Sequence, residues 1–410
     1  MLMSSKLRKK LYSVLMPLLP ILILYGFEVL PFLTFSDYIL IFFILINIVQ
    51  NRYKLVCKKY FSFLIIYLII EPLLLLVIAP KNLDFLDAAG TAWKLALYIL
   101  GVLLLTKDLR KDILIKSIRI IGVASTLYGF FQFVFGTYLH ISLSPYLPFL
   151  PVLRVGLDTQ QEGWISYNWV VRPRAWFSEP ATFAIFLLLA LLIELFVVSE
   201  KERKKKLSFL YAFGIIISRS STGVFALVIL VGVWMILNPE DFWYKIPRKT
   251  IVAFLILLPV CGLFLYKGGY IESFASHTFV NGQGLMAQSH FTDISEAFKR
   301  DSNILTILFG NGMQEVAAGY LPGWFRVYYC LGITGIVLYI FEFYKIFRVS
   351  KKHGRIIVLT FIFLNFGTEI MLGVFLLLYM SVAILPEDGK EKKKNGKRYS
   401  RYFNLKNNKI

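Results

Sequence analysis

Cysteine and histidine are scarce in this 410-residue chain, which has three of the first and four of the second. Cys57, Cys261 and Cys330 are too scattered for a disulfide framework or a zinc site and read as apolar fillers. No His, Cys or Asp pair on the outer face has metal-ligand spacing, and neither a glycine-rich phosphate loop nor a nucleophile elbow occurs. Acidic residues are few as well, 25 against 45 Lys and Arg, for a formal charge of +20. In a soluble chain that surplus would point to nucleic acid. Here the basic residues fall in short segments between apolar runs, so the charge sets orientation in a bilayer and no nucleic-acid partner is expected. There is no internal repeat, and the basic tail is the one low-complexity stretch.

What the chain has in quantity is apolar: 57% of residues are hydrophobic and the mean hydropathy is +0.66. Runs of about 16 to 24 apolar residues each suffice to cross a hydrocarbon core of roughly 30 Å. The expected fold class is all-α, a polytopic membrane protein with about twelve spans, eleven to thirteen, in one domain over residues 1–386, with a basic tail at 387–410. The runs fall at roughly 11–31, 36–50, 61–79, 91–106, 113–137, 178–198, 207–219, 221–237, 250–266, 326–347, 354–368 and 369–385. Lys6, Arg8, Lys9 and Lys10 precede a first run broken by Pro17 and Pro20, with no cleavage pattern after it, so the first helix is expected to stay.

With the amino terminus in the cytoplasm, NRYKLVCKKY, KDLRKD, SEKERKKK, the stretch around Lys245, KIFRVSKKHGR and the tail all fall inside, and so does the carboxy terminus. The outer face then holds Lys81, Lys267 and Lys299, but Arg154, Arg172, Arg174, Arg219, Arg300 and Arg326. Arginine offers a planar fork of donors suited to phosphate or carboxylate, where lysine is a hydrated point charge. Arg172, Arg174, Arg219 and Arg326 each precede or open an apolar helix, the end whose dipole repels cations, so an anion is expected to hold them there. Two outer segments, 138–177 and 267–325, are long enough to build a site.

The strongest constellation is Arg172-Pro-Arg174-Ala-Trp-Phe-Ser178-Glu179-Pro180. Ser178 reads as the helix N-cap and Pro180 fits the first turn, so free backbone N–H groups beside two guanidinium groups would cradle a diphosphate. Glu179 would lie within reach as a general base or acid; the plainer reading pairs it with Arg172 or Arg174. In Ser218-Arg219-Ser220-Ser221-Thr222-Gly223 the arginine sits between two apolar runs, where it needs a partner or must snorkel. Arg326 opens the tenth span, and Arg154 and Arg300 lie in the long loops. Trp164, Trp169, Trp176, Trp324, Tyr167 and Tyr320 fall in or beside those loops, as a glycan-stacking surface or an interfacial belt. His277 and His290 are the outer histidines that would deprotonate a hydroxyl near neutral pH. Glu71 and Lys94 are candidates for a mutual pair, Lys116 and Arg119 can snorkel, Glu194 is a further charge within the apolar runs, and Glu369 is expected at the outer turn between the last two spans.

The order RPRAWFSEPATFA, then SRSSTGVFALVILVGV, then a large outer loop ending LFGNG before a helix containing Gly332 and Gly335, resembles the Wzy-type polysaccharide polymerase and O-antigen ligase superfamily over roughly residues 120–345. Ligases of this group carry a histidine late in the large loop; GYLPGWFR here, with Arg326, favours a polymerase. The resemblance implies a GT-C-like ligase/polymerase architecture and a metal-independent glycosyltransferase without cofactor. Its substrate would be undecaprenyl-diphosphate-linked oligosaccharide at the outer face of the bacterial cytoplasmic membrane. It also implies a flippase and a chain-length regulator of the same pathway as partners. Arginines would hold the diphosphate, and Glu179, or else His290 or His277, would take the acceptor proton. A ligase acting on lipid A or protein is the nearer alternative, and a lipid-linked oligosaccharide flippase the further one.

Overall fold

The computed structural model describes residues 4–27, 33–50, 62–78, 80, 83–153, 165–166, 170–199, 202–237, 303–313 and 321–385. The ninth expected span and most of the second long loop, with Arg154, Arg300, His277, His290, Trp164, Trp169, Tyr167 and Tyr320, lie outside them. In the described parts the chain is a bundle of apolar helices. Four are long and apolar enough to cross a membrane: Phe85–Asp108, Lys111–Tyr138, Pro180–Val197 and Gly323–Val349. Phe35–Gln50, Phe63–Ile78, Ser221–Leu237 and Val374–Ala383 are shorter apolar helices.

In chain order the helices are α1 (Ser5–Leu15), α2 (Leu19–Leu22), α3 (Phe35–Gln50), α4 (Phe63–Ile78), α5 (Phe85–Leu105), α6 (Lys111–Tyr138), α7 (Pro180–Leu192), α8 (Lys205–Ile217), α9 (Ser221–Leu237), α10 (Ile304–Phe309), α11 (Gly323–Val349), α12 (Lys352–Leu364) and α13 (Val374–Ala383). Between α6 and α7 two short strands, β1 (Ile165–Ser166) and β2 (Val170–Val171), pair antiparallel. Pro17 and Pro20 do divide the first apolar run, into α1, a 3-10 turn and α2. The α5 helix starts at Phe85, ahead of its apolar run, because Asp84 caps it by accepting from Asp87 N at 3.1 Å. A cap, not hydropathy, defines where that helix begins.

The α7 helix is apolar on every side and is accordingly buried on every side, so the other helices wrap it. It continues into a π turn, Ile193–Val197, whose loosened carbonyls need donors. Arg203 supplies them, Nε to Glu194 O at 3.0 Å and Nη2 to Leu195 O at 2.9 Å. Glu194 itself is buried and takes a two-point bond from Arg119, at 2.5 and 3.0 Å. Arg119 therefore does not simply snorkel; it neutralises a carboxylate beside the central helix.

Lys94 does not pair with Glu71 as expected. Its ammonium lies 3.7 Å from Asp37 at the start of α3, which also accepts from Tyr98 Oη at 2.9 Å and from Thr34 N at 2.9 Å. Glu71, 1% exposed, faces the backbone of Met313 instead. At another contact Asp108 gathers Arg8 at 2.8 Å, Asn47 at 2.8 Å and Lys9 at 3.5 Å, tying α1 and α3 to the end of α5.

The α11 helix is broken. Gly332 has φ +66 and ψ −167, which stops the i to i−4 ladder and releases carbonyls inside an apolar bundle. The LFGNG segment answers them: Asn311 N donates to Tyr329 O at 2.9 Å, Gly312 N donates to Cys330 O at 3.0 Å, and Tyr67 Oη reaches Leu331 O at 2.9 Å. The approach is so close that a Cβ on Gly310 (φ +89) would lie 2.0 Å from Cys330 O, and one on Gly332 would lie 2.5 Å from the Leu308 carbonyl. G310A is therefore expected to cost on the order of 3 kcal/mol or more. G90A, where a Cβ meets nothing within 4 Å, is expected to be neutral or slightly stabilising. Thermal unfolding of the detergent-solubilised variants measures both, and equal melting temperatures would refute the packing argument.

Candidate functional site: an arginine and glutamate cluster at one end of the bundle

The α6 helix ends at Tyr138 and the chain returns through β2, held where Val171 N donates to Thr137 Oγ1 at 3.1 Å. The segment 172–179 is then clamped by Gln132 of α6. Its Oε1 accepts from Ala175 N at 2.8 Å and Arg174 N at 3.3 Å, while its Nε2 donates to Ala175 O at 3.2 Å. Ala175 sits at φ +49 within this clamp. Gln132 stands among aromatic residues in the last part of α6, and that setting was the signal available in the sequence.

The helix cap is Glu179 rather than Ser178. Glu179 is extended (φ −148, ψ 157), Pro180 is the first helical residue, and the Thr182 hydroxyl turns back to accept from Glu179 N at 3.0 Å. Pro180 brings no N–H of its own, which moves the cap one residue toward it. The correction places Glu179 at the positive end of α7, where a carboxylate is favoured.

The two arginines before the helix do different things. Arg174 is 4% exposed; its Nη1 donates to Ser178 O at 2.7 Å, its Nη2 to Tyr146 Oη at 3.4 Å, and its guanidinium lies 5.4 Å from the Tyr146 ring centre. Arg172 is half-buried and reaches across to the carbonyl of Arg219 at 3.4 Å. Arg219 occupies the tip of the α8–α9 hairpin. Ser218 Oγ bonds Ile215 O at 2.6 Å to close α8, and Ser220 Oγ accepts from Gly223 N at 3.1 Å to open α9. One residue is left to make the reversal, and it does so at φ +55 with its side chain wholly buried. Gly223 sits tight against Ala184, which brings this hairpin beside the start of α7.

Arg326 has its anion within the chain. It forms an ion pair with Glu369, in the turn between α12 and α13, and Glu369 Oε1 also accepts from Leu321 N at 3.2 Å. The same turn fills the first backbone N–H groups of α11: Gly323 N donates to Thr368 O at 2.8 Å and Trp324 N to Asn365 O at 3.3 Å. Thr222 Oγ1 donates to Gly367 O at 3.3 Å, joining the turn to α9. Trp324 donates through Nε1 to Ile362 O at 3.1 Å and packs against Phe343 and Phe366. Trp176 stacks on Tyr128, centroids 4.8 Å apart and planes 11° apart.

The result is one cluster. Glu179 feels Arg172 and Arg174 from its own segment and Glu369 from the α12–α13 turn. Loss of hydration among the surrounding helix ends raises its pKa above the usual carboxylate range, and the Glu369 charge adds to this, while the two arginines oppose it. Its outer side remains solvent-exposed. Arg172 and Arg174 act on Glu179, and Arg326 pairs with Glu369, beside a carboxylate whose proton affinity is raised. Among the described residues no three His, Cys, Asp or Glu side chains gather as metal ligands.

The fold defines the chain as an α-helical membrane protein. No known family profile, curated protein or solved structure matches it.

The two arginines of RPRAW separate by experiment. Removing Arg174 takes away a buried charge-assisted bond to Ser178 O, so R174A is expected to cost about 1–3 kcal/mol of stability. R172A is expected to cost less than half as much. Thermal unfolding of the two variants checks the order, and an equal or larger loss for R172A would contradict it.

Proposed function

We propose that the protein is a polysaccharide polymerase, a glycosyltransferase that joins undecaprenyl-diphosphate-linked oligosaccharide units into O-antigen or capsular chains. In this reading about twelve spans form a GT-C-like bundle in the bacterial cytoplasmic membrane, with both termini in the cytoplasm and the arginine cluster on the outer face. The observation that carries it is the meeting of Arg172, Arg174, Arg219, Arg326 and Glu179, drawn from three separate stretches of sequence, at one end of the bundle.

Chemically, the acceptor hydroxyl of one lipid-linked unit attacks the anomeric carbon of another. The O–H bond breaks with its proton passing to the Glu179 carboxylate, and the new C–O bond forms. The bond from the anomeric carbon to the diphosphate oxygen breaks, and its electron pair leaves with undecaprenyl diphosphate. Charge grows on that diphosphate in the transition state, and fixed guanidinium groups in a poorly hydrated site stabilise it without reorganising. Arg219 suits this best: it is buried, short of alternative positions and held by a tight hairpin. Arg172 lies beside it and Arg326 across the cluster. Arg174 contributes charge while it shapes the turn.

Deleting the gene in a glycan-producing strain is expected to leave single lipid-linked units where the parent shows a ladder on a gel. An unchanged ladder would sink the polymerase reading, and full-length lipid-linked polymer would point to a ligase. R172A and R219A, at wild-type membrane level, are each expected to lower chain formation by on the order of 100-fold. Wild-type chain length in both would remove the diphosphate-cradle argument.

A further inference from the structure

The sequence pattern drew attention to cations, yet the α12–α13 turn brings an acidic residue into the middle of them. Glu369 is held from two sides, by the Arg326 guanidinium and by Leu321 N at 3.2 Å. Its turn is fastened to α11 through Thr368 O and Asn365 O and to α9 through Gly367 O. These contacts leave the carboxylate little freedom and carry it to the neighbourhood of Glu179, nearly half the chain length away in sequence.

We propose that Glu369 is a positioning residue of this site, fixing the Arg326 guanidinium toward the diphosphate position and setting a second carboxylate against Glu179, the proton acceptor. This rests on the polymerase reading and deepens it. A solitary arginine at the second turn of α11 would sample many rotamers, whereas the ion pair leaves it one orientation before substrate arrives. The second effect is electrostatic. The charged groups that face Glu179 are Arg172 and Arg174 from its own segment and Glu369 from the turn, with Arg219 behind Arg172 and Arg326 behind Glu369. Loss of hydration raises the proton affinity of Glu179 most, and Glu369 adds to it against the two arginines, which favours taking a hydroxyl proton.

A base works when deprotonated, so the rate of chain formation rises with pH through the pKa of Glu179. Removing the Glu369 charge lowers that pKa and moves the acidic limb of the profile to lower pH.

The test uses the full chain in lipid nanodiscs and, as substrate, the lipid-linked units extracted from a strain lacking the gene. Ladder formation is followed from pH 5 to pH 9 for wild type, E369Q and E369D. E369Q is expected to lower the plateau rate by on the order of tenfold, through the loosened Arg326, and to shift its acidic limb to lower pH. E369D keeps the charge and is expected to hold the limb at the wild-type position while losing part of the plateau. A lowered plateau with an unmoved limb in E369Q would overturn the proposal and leave Glu369 as a packing residue. If E369Q fails to reach the membrane, E369N also removes the charge and is expected to show the same shifted limb; an unmoved limb there overturns it too. Failure of the wild-type protein to extend the units at any pH would instead strike the polymerase reading itself, so the two outcomes stay distinct.

Discussion

Inside a bilayer every backbone polar group must find a partner within the protein, and this chain meets that demand at the place where it is hardest. Gly332 breaks a helix long enough to cross the membrane, and the carbonyls it releases have no water to turn to. The segment around Asn311 and Gly312 enters against the break and supplies the donors, with Tyr67 closing the third position. Much of the rest follows from that junction. It fixes the first half of α11, which carries Arg326 near its start, and it draws α4 and α10 to the same point. Broken helices in membrane proteins are tolerated where such satisfaction exists, and they are commonly found beside binding sites.

The buried charges show the same economy on a smaller scale. Arg119 with Glu194, Lys94 with Asp37 and Arg326 with Glu369 each join helices that are distant in sequence. A charged group in an apolar bundle is costly unless matched, so each pair also restricts which helices can lie side by side. At the start of α7 the arrangement is shared instead: Arg172, Arg174 and Glu369 all act on Glu179.

Much of the fold was legible in the sequence because its elements are defined by long apolar runs. The bounds of α3, α4, α6, α7, α8 and α9 lie within a few residues of those runs. Pro17 and Pro20 marked the division of the first run as well, whereas the break at Gly332 lies inside a run that reads as one span. What could not be read were relations between distant positions. Lys94 chose Asp37 over Glu71 because α3 lies closer to its face of α5 than hydropathy alone can say. Glu369 was visible as a charge, but only the turn joining α12 to α13 shows that it meets Arg326. Ser178 matched the statistics of a cap, yet the constraint of Pro180 on the backbone gave the position to Glu179. The arginines were recognisable by type and placement; that Arg174 builds the turn while Arg172 faces its neighbour is a matter of a few ångströms.

At position 219 the main chain and the side chain ask for different amino acids. A φ of +55 is glycine's territory, with asparagine next, and any branched or long residue there carries a strain of about 1–2 kcal/mol. Glycine would relieve that turn, so the hairpin carries its long cationic side chain at the expense of its own backbone, and the α8–α9 connection is a place where local stability and side-chain chemistry pull apart.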